Sequence, residues 1–520
     1  MKLINNKYYL YATGFFSGMS IMAIEMGASR LLTPYFSSSQ IVWTVIIGII
    51  MIAMAIGNVW GGRSADKNPD PKKLYTRLLI AAVWTAAIPF AGRFVILGVS
   101  YVVILAVKSN YLIWASFFSC IVLFVYPLIL LGTVTPSLIK YATRNLTENG
   151  RTVGTLEACG TVGSILGTFL PTFVTIPNLG TAATFYIFAA ILALLSLLYF
   201  ISAKKHIVRG AAVTGIIIVL IFAPVNYSFA FWENDLVYEG ESIYNYLRVR
   251  EDSDKVILST NVLEGVQSIY MKSGGLTGMY YDYALAAPLM AGTENADMSL
   301  LVLGMGTGTY AKQCRIYYPN LKAEGVEIDQ KIVDLSRKYF DLPEDIPVTV
   351  GDGRAYLRNA GKYDIIMVDA YQDITIPFQM STKEFFTMVK EHLNDGGVMV
   401  VNMNMKTAEK GGINDYLIDT ICSAFPKVAT VDVGNNTNQE LFAGENSDIF
   451  NSFQQKTSAL QAKDVLKSQM EEVSENLEER EGGNLILTDD KAPVELLGMK
   501  ALDSLITDTL KEYGGQISIF

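Results

Sequence analysis

The sequence predicts a polytopic α-helical membrane domain followed by an α/β domain, the latter a small β-domain leading into a doubly wound parallel sheet. Three observations carry this. The first 231 residues contain apolar stretches of bilayer-crossing length, separated by short basic loops. From Trp232 the chain changes to short alternating strands, and beyond Leu300 to apolar strands that alternate with helical segments. The charge divides at the same place: the part before Trp232 has 16 Lys and Arg against 5 Asp and Glu, the remainder 25 against 45, so +11 and −20 make up the net −9. At 520 residues with a mean hydropathy above zero, the chain is too long for one soluble domain and too apolar for two. The expected domains are 1–231, 232–297 and 298–520.

Apolar segments centre on 8–28, 41–61, 77–98, 112–138, 153–176, 181–201 and 211–231. That is seven spans, although 77–107 is long enough for a span plus a short surface helix. The first segment continues into Glu25 and Arg30 with no small-residue cleavage site, so no cleavable signal peptide is expected. Loops bearing Arg63, Lys67, Lys72 and Lys73, then Lys140, Arg144 and Arg151, then Lys204, Lys205 and Arg209 read as cytoplasmic, with the N-terminus inside. Seven spans then put the C-terminal domain outside. An eighth within 77–107 would turn it inward but strand the cations of 140–151 on the other face. Glu25, Arg93 and Glu157 would be costly against lipid and are expected to face one another or a cavity, either fixing helix packing or lining a pathway. Gly160, Gly163 and Gly167 form a small-residue stripe suited to close helix approach.

In the remainder, Asn245–Arg250, Lys255–Ser259 and Ser268–Met271 read as strands of the small β-domain. Then LLVLG, AEGVEI, VTVGD, YDIIMVDA and GGVMVVNM alternate with helices, which implies a parallel sheet that takes ligands at the carboxyl ends of its strands. Residues 453–480, rich in Glu, Gln and Lys, read as a solvated surface helix. The acidic balance argues against nucleic acid as a partner. Cys120, Cys159, Cys314 and Cys422 fall singly, and His206 and His392 are the only histidines. A disulfide framework, Ser-His or Cys-His catalysis and most transition-metal sites are thereby disfavoured, and no metal is expected. Acid–base chemistry must rest on carboxylates, tyrosines or lysines.

Gly304, Gly306 and Gly308 allow a tight turn and close backbone approach to a ligand at a helix N-terminus. A glycine pattern alone is weak, but Glu327 ends the next strand where a carboxylate can accept both hydroxyls of a ribose. Asp352 and Gly353 end the third strand, placed to accept from an adenine amino group, and Asp369 ends the fourth over the same crevice. Four strand-end signals in order point to nucleoside chemistry.

On these residues, together with EGVQSIY, TGMYYDYALAAPL, VEID, GDGRAYL, STKEFFTMVKEHLNDGGVMVVN and LTDDKAPVELL, the chain resembles the spermidine synthase (polyamine aminopropyltransferase) family over 235–500. SGMSIMAIEMGASRLL and GTVTPSLIKYATRN resemble the multi-spanning segment that precedes such domains in a bacterial subset. The resemblance implies a Rossmann-like, class I methyltransferase-like fold and a dimer through the soluble domain. It also implies transfer of an aminopropyl group from decarboxylated S-adenosylmethionine to a small-molecule amine, putrescine in the family. Asp369 matches the proton acceptor, and Glu327 and Asp352-Gly353 match the nucleoside-binding positions. Because that co-substrate is made in the cytosol, it argues for a cytoplasmic domain, against the seven-span count.

The departures lie on the acceptor side. Asn245 stands where the family has Gln; Asp282, after Tyr281, where it has His; Thr307 where it has the acid of the glycine loop. Gln372 replaces the acid three residues after the proton acceptor, with Asp373 one step later. Two carboxylates that would hold a dication are thus neutral, and each forfeited charged hydrogen bond is worth roughly 1.5–3 kcal/mol. Two further readings share the nucleoside site: an S-adenosylmethionine-dependent methyltransferase, and a non-catalytic nucleoside- or polyamine-binding sensor or transporter partner.

Overall fold

The computed structural model describes residues 3–36, 39–107, 109–143, 149–222, 228–262, 265–293, 295–370, 376–404, 406, 410–434, 438–460 and 465–517. The chain divides into two compact units. One comprises Met1–Glu233, Glu239–Tyr246 and Asn261–Leu263, the other Asn234–Tyr238, Leu247–Thr260 and Glu264–Phe520.

The first unit is built of long helices. Their starts follow local chemistry: the Ser39 hydroxyl accepts from the Val42 amide at 3.2 Å, and Asp70, ahead of Pro71, accepts from Lys72 at 3.0 Å. Four helices among the described residues are long and apolar enough to cross a membrane: Gln40–Lys67, Pro71–Ala106, Tyr111–Ala142 and Gly150–Ala203. The expected seven segments map unevenly onto them. Segments 153–176 and 181–201 share the 54-residue helix Gly150–Ala203. Gly180 breaks it with a φ of 85°, outside the helical region. Segment 8–28 lies in Lys7–Phe36, long enough at 30 residues but diluted by Gly, Ser and Thr, and segment 211–231 shortens to Ile207–Phe222. The stretch 77–107 is one continuous helix to Ala106, so the structure provides no separate surface helix there.

The glycine stripe is a packing device. A Cβ on Gly163 or Gly167 would collide with the carbonyls of Phe15 or Met19, so these glycines let Asn149–Leu170 lie against Lys7–Phe36. The expected meeting of Arg93 with Glu25 and Glu157 does not occur. Arg93 donates to the Ser228 carbonyl at 3.0 Å and sits over the rings of Phe94 and Phe231, at 4.9 and 4.8 Å, while Glu157 is exposed. Aromatic faces and a carbonyl stand in for a carboxylate here, while the buried Arg93 Nε has no hydrogen-bond partner among the described residues.

The second unit holds the sheet that positions the site. A four-stranded antiparallel sheet, β1 (Leu236–Glu241), β2 (Tyr246–Glu251), β3 (Lys255–Ser259) and β4 (Ser268–Met271), runs in chain order, with Glu239–Glu241 and Tyr246 counted in the first unit and the rest in the second. Its first strand, LVYEGE, escaped sequence reading because two acids and a glycine break its alternation. The large sheet contains β5 (Met298–Leu303), β6 (Leu321–Glu327), β7 (Val348–Val350), β8 (Tyr363–Val368), β9 (Leu393–Met403), β10 (Lys427–Asp432), β11 (Gln439–Gly444) and β12 (Glu478–Glu479). Its order is β12-β10-β11-β9-β8-β5-β6-β7. Strands β5 to β9 pair in parallel, whereas β9, β11, β10 and β12 pair antiparallel, so the sheet is mixed.

Alternation assigns the two faces. Leu300, Val302, Met367, Val400 and Phe442 enter one apolar core, and Leu301, Leu303, Val368, Val401 and Leu441 the other. Residues 453–480 correct the expectation of one solvated helix. They contain parts of two helices, Ile449–Ala459 and Val465–Asn476, which bury Phe453 and the Leu466, Met470, Val473 stripe. Because β5 is flanked by β6 on one side and β8 on the other, the chain winds in opposite directions from it. A crevice for ligand opens at the carboxyl ends of such strands.

Candidate active site

The turn after β5 is made possible by glycine. Gly304, Gly306 and Gly308 have φ of 90°, 53° and 78°, a region that side chains rarely enter. The first also permits close contact: a Cβ on Gly304 would lie 2.7 Å from the Ala370 Cα and overlap the Asp369 carbonyl. The loop after β5 and the end of β8 therefore touch. Gly308 leads directly into the helix Thr309–Tyr317.

Glu327, at the end of β6, holds this loop. Its two oxygens accept from Gly306 N at 2.9 Å and Asp329 N at 3.0 Å. Burial raises its carboxyl to about 7, against the lowering effect of those amides. Two acceptor sites remain on a carboxylate so engaged, enough for a pair of vicinal hydroxyls. Alongside, the Glu327 carbonyl accepts from Gly351, which brings Asp352 and Gly353 to the same edge. One Asp352 oxygen caps the short helix Gly353–Leu357, accepting from Ala355 at 2.7 Å.

That turn is tied to a distant part of the chain. Arg354 grips Asp489 with two hydrogen bonds of 2.8 and 2.7 Å, and Asp489 also accepts from the Thr382 hydroxyl at 2.7 Å. The LTDD run thus acts through Asp489, a residue whose role no local pattern reveals.

Asp369 stands at the end of β8. Tyr280 donates its hydroxyl to one oxygen at 2.6 Å and Asn402 its amide to the other at 2.9 Å. Burial lifts this carboxyl to about 7; the two donors pull it down and the nearby Glu327 pushes it up. An acid so poised accepts a proton near neutrality while its orientation is fixed from both sides.

The remaining expected residues are distributed differently. Tyr281 stacks on Tyr280, ring centroids 4.0 Å apart, but donates to the Gln267 carbonyl at 3.1 Å. Asp282 is buried and accepts from Thr277 N, the Thr277 hydroxyl, Gly278 N and Gln313 Nε2 at 2.6–3.0 Å, which commits its carboxylate to a turn. Thr307 is buried; its amide donates to the Ser268 hydroxyl at 3.3 Å. Asn245 closes a turn with Ser242 and belongs to the first unit. Gln372 and Asp373 lie outside the described residues. Sequence reading missed Tyr280 and Asn402. The doubled tyrosine was a signal, but only the helix Tyr280–Ala284 decides which ring faces the acid.

Comparison with known proteins points to one family. A family profile described as "Spermine/spermidine synthase domain" matches residues 281–433. A protein of Bifidobacterium longum named "Probable polyamine aminopropyl transferase" is 56% identical over 337 residues, 61% of this chain and 74% of its own length. The "Polyamine aminopropyltransferase" of Vibrio vulnificus is 28% identical over 196 residues, 36% of this chain and 66% of its own. Among solved structures, a probable spermidine synthase from Corynebacterium glutamicum aligns with 48% of this chain and 96% of its own, at 20% identity and a TM-score of 0.37. At 56% identity over three quarters of the Bifidobacterium relative, the chain belongs to the spermine/spermidine synthase family, the polyamine aminopropyltransferases.

Proposed function

We propose that the protein transfers an aminopropyl group from decarboxylated S-adenosylmethionine to an amine, on a soluble unit carried by a membrane-associated helical one. The observation that carries this reading is the carboxyl of Asp369, held between Tyr280 and Asn402 and raised to about 7. An aliphatic amine with a solution pKa of about 10 arrives protonated and cannot attack. Asp369 receives that proton. The freed lone pair forms a bond to the carbon beside the sulfonium, the carbon–sulfur bond breaks with its electrons going to sulfur, and methylthioadenosine leaves. Glu327 holds the ribose hydroxyls, the Gly304–Gly308 loop lies against the nucleoside, and Asp352 with Gly353 receives the adenine edge.

Calorimetry on the full chain in detergent tests the donor side. Methylthioadenosine and decarboxylated S-adenosylmethionine are expected to bind, and S-adenosylmethionine more weakly, its extra carboxylate meeting an acidic site. Tighter binding of S-adenosylmethionine would favour methyl transfer, and binding of none of the three would remove both enzyme readings.

A further inference from the structure

Glu440 is fully buried on β11, and neither of its carboxyl oxygens has a hydrogen-bond partner among the described residues. Leaving even one polar atom so costs about 1–3 kcal/mol, and an ionised carboxylate more. A position with only a packing role would hold leucine, as Phe442 two residues along is part of the apolar core on that face.

Register shows where the carboxyl stands. Val368 pairs with Val401 across β8 and β9, and Glu440 pairs with Asn402 across β9 and β11. Residues paired across strands share a face, and Asn402 reaches Asp369. Asp369, Asn402 and Glu440 therefore form one row over three adjacent strands. At about 4.8 Å per strand, its ends lie roughly 10 Å apart, a span comparable to that of a short diamine, with Asn402 standing between the two carboxyl groups. The titratable groups that bear on Glu440 are Asp369, Tyr281 and Tyr310, none of them cationic.

Resting on the aminopropyl-transfer reading, we propose that Glu440 is the specificity-determining acid of the acceptor subsite: Asp369 takes the reacting nitrogen and Glu440 the second ammonium of a diamine. Burial raises the Glu440 carboxyl well above its ordinary range, with Asp369 adding to the effect, and a cationic ligand opposes both. The negative charge missing at Thr307 and Gln372 is supplied from a different strand.

The test is calorimetry of the full chain in detergent, saturated with methylthioadenosine, against putrescine and butylamine. Wild type is expected to bind putrescine about tenfold or more tighter than butylamine, the increment of one charged hydrogen bond. Glu440→Gln is expected to erase that preference and leave butylamine and methylthioadenosine affinities unchanged, with Glu440→Asp recovering part of it. Equal putrescine affinity in wild type and Glu440→Gln overturns the assignment, as does loss of methylthioadenosine binding in both Glu440 variants, which would make the residue a support of the fold. Failure of wild type itself to bind methylthioadenosine overturns the transfer reading instead.

Discussion

Asp369→Asn should inactivate the protein and stabilise it. The amide fits the site, with its oxygen accepting from Asn402 and its NH2 group donating to the Tyr280 hydroxyl, so the contacts at 2.9 and 2.6 Å survive in geometry. What disappears is the proton acceptor, worth about 10²–10⁴ in turnover. The stability term follows from linkage. The folded carboxyl titrates at about 7, whereas in an unfolded chain it titrates near 4. Its contribution is complete below the unfolded value and is lost as pH rises through the folded one. At about 1.4 kcal/mol per pH unit, wild type forfeits on the order of 4 kcal/mol between pH 4 and pH 8 that a neutral side chain keeps. Glu327 has the same sign and remains in both proteins; because it is coupled to Asp369, loss of the Asp369 charge also eases its ionisation, which adds to the variant's advantage at high pH. Thermal melts of both proteins at pH 5 and pH 8, with turnover assayed beside them, read this out. The variant's advantage should be several degrees at pH 8 and much smaller at pH 5. An inactive variant with no such advantage would refute the burial argument, and an active one would refute the assignment of the base.

Other changes probe the supports of the site. Tyr280→Phe removes a donor to the charged form of Asp369, so the acid limb of the pH–rate profile should move to higher pH and turnover fall about tenfold; an unmoved limb would show that the hydroxyl does not act on the acid. Asp489→Ala should cost about 2–3 kcal/mol by leaving the Arg354 guanidinium, only 10% exposed, without its carboxylate, and should weaken methylthioadenosine binding. Arg354 holds the Asp489 carboxyl below its ordinary range, so wild type has this stability above pH 4 and loses it as pH falls through the depressed value. A melting difference between the two proteins that does not shrink as pH is lowered below 4 would contradict the ion-pair account.

The strand-end positions were legible because each of these acids follows a strand and the turn after β5 requires glycine. Gly304, Glu327, Asp352 and Asp369 could be placed from pattern alone, since the period of a buried strand fixes where its ends fall. The partners of Asp369 were not. Tyr280 and Tyr281 are neighbours in sequence, and only the orientation of a five-residue helix decides which reaches Asp369. Asp282 looked free and is absorbed by the Thr277-Gly278 turn. Asn402 and Glu440 become neighbours through antiparallel pairing of β9 and β11, a long-range event that QELFAG, with its weak alternation, does not announce. Helix lengths were less legible than apolar segments for a related reason: hydropathy sees apolar length, while breaks such as Gly180 depend on backbone angles.

The Arg354–Asp489 bridge sets an order of events in the life of the chain. Arg354 belongs to the turn that follows Asp352, yet the carboxylate that fixes it lies 135 residues later. A nascent polypeptide that has emerged as far as residue 480 already contains the glycine loop, Glu327, Asp352 and Asp369, but its guanidinium has only the Gln379 carbonyl to grip and no carboxylate. The fixed turn at Asp352 is thus among the last features the growing chain acquires, long after its apolar helices have been made.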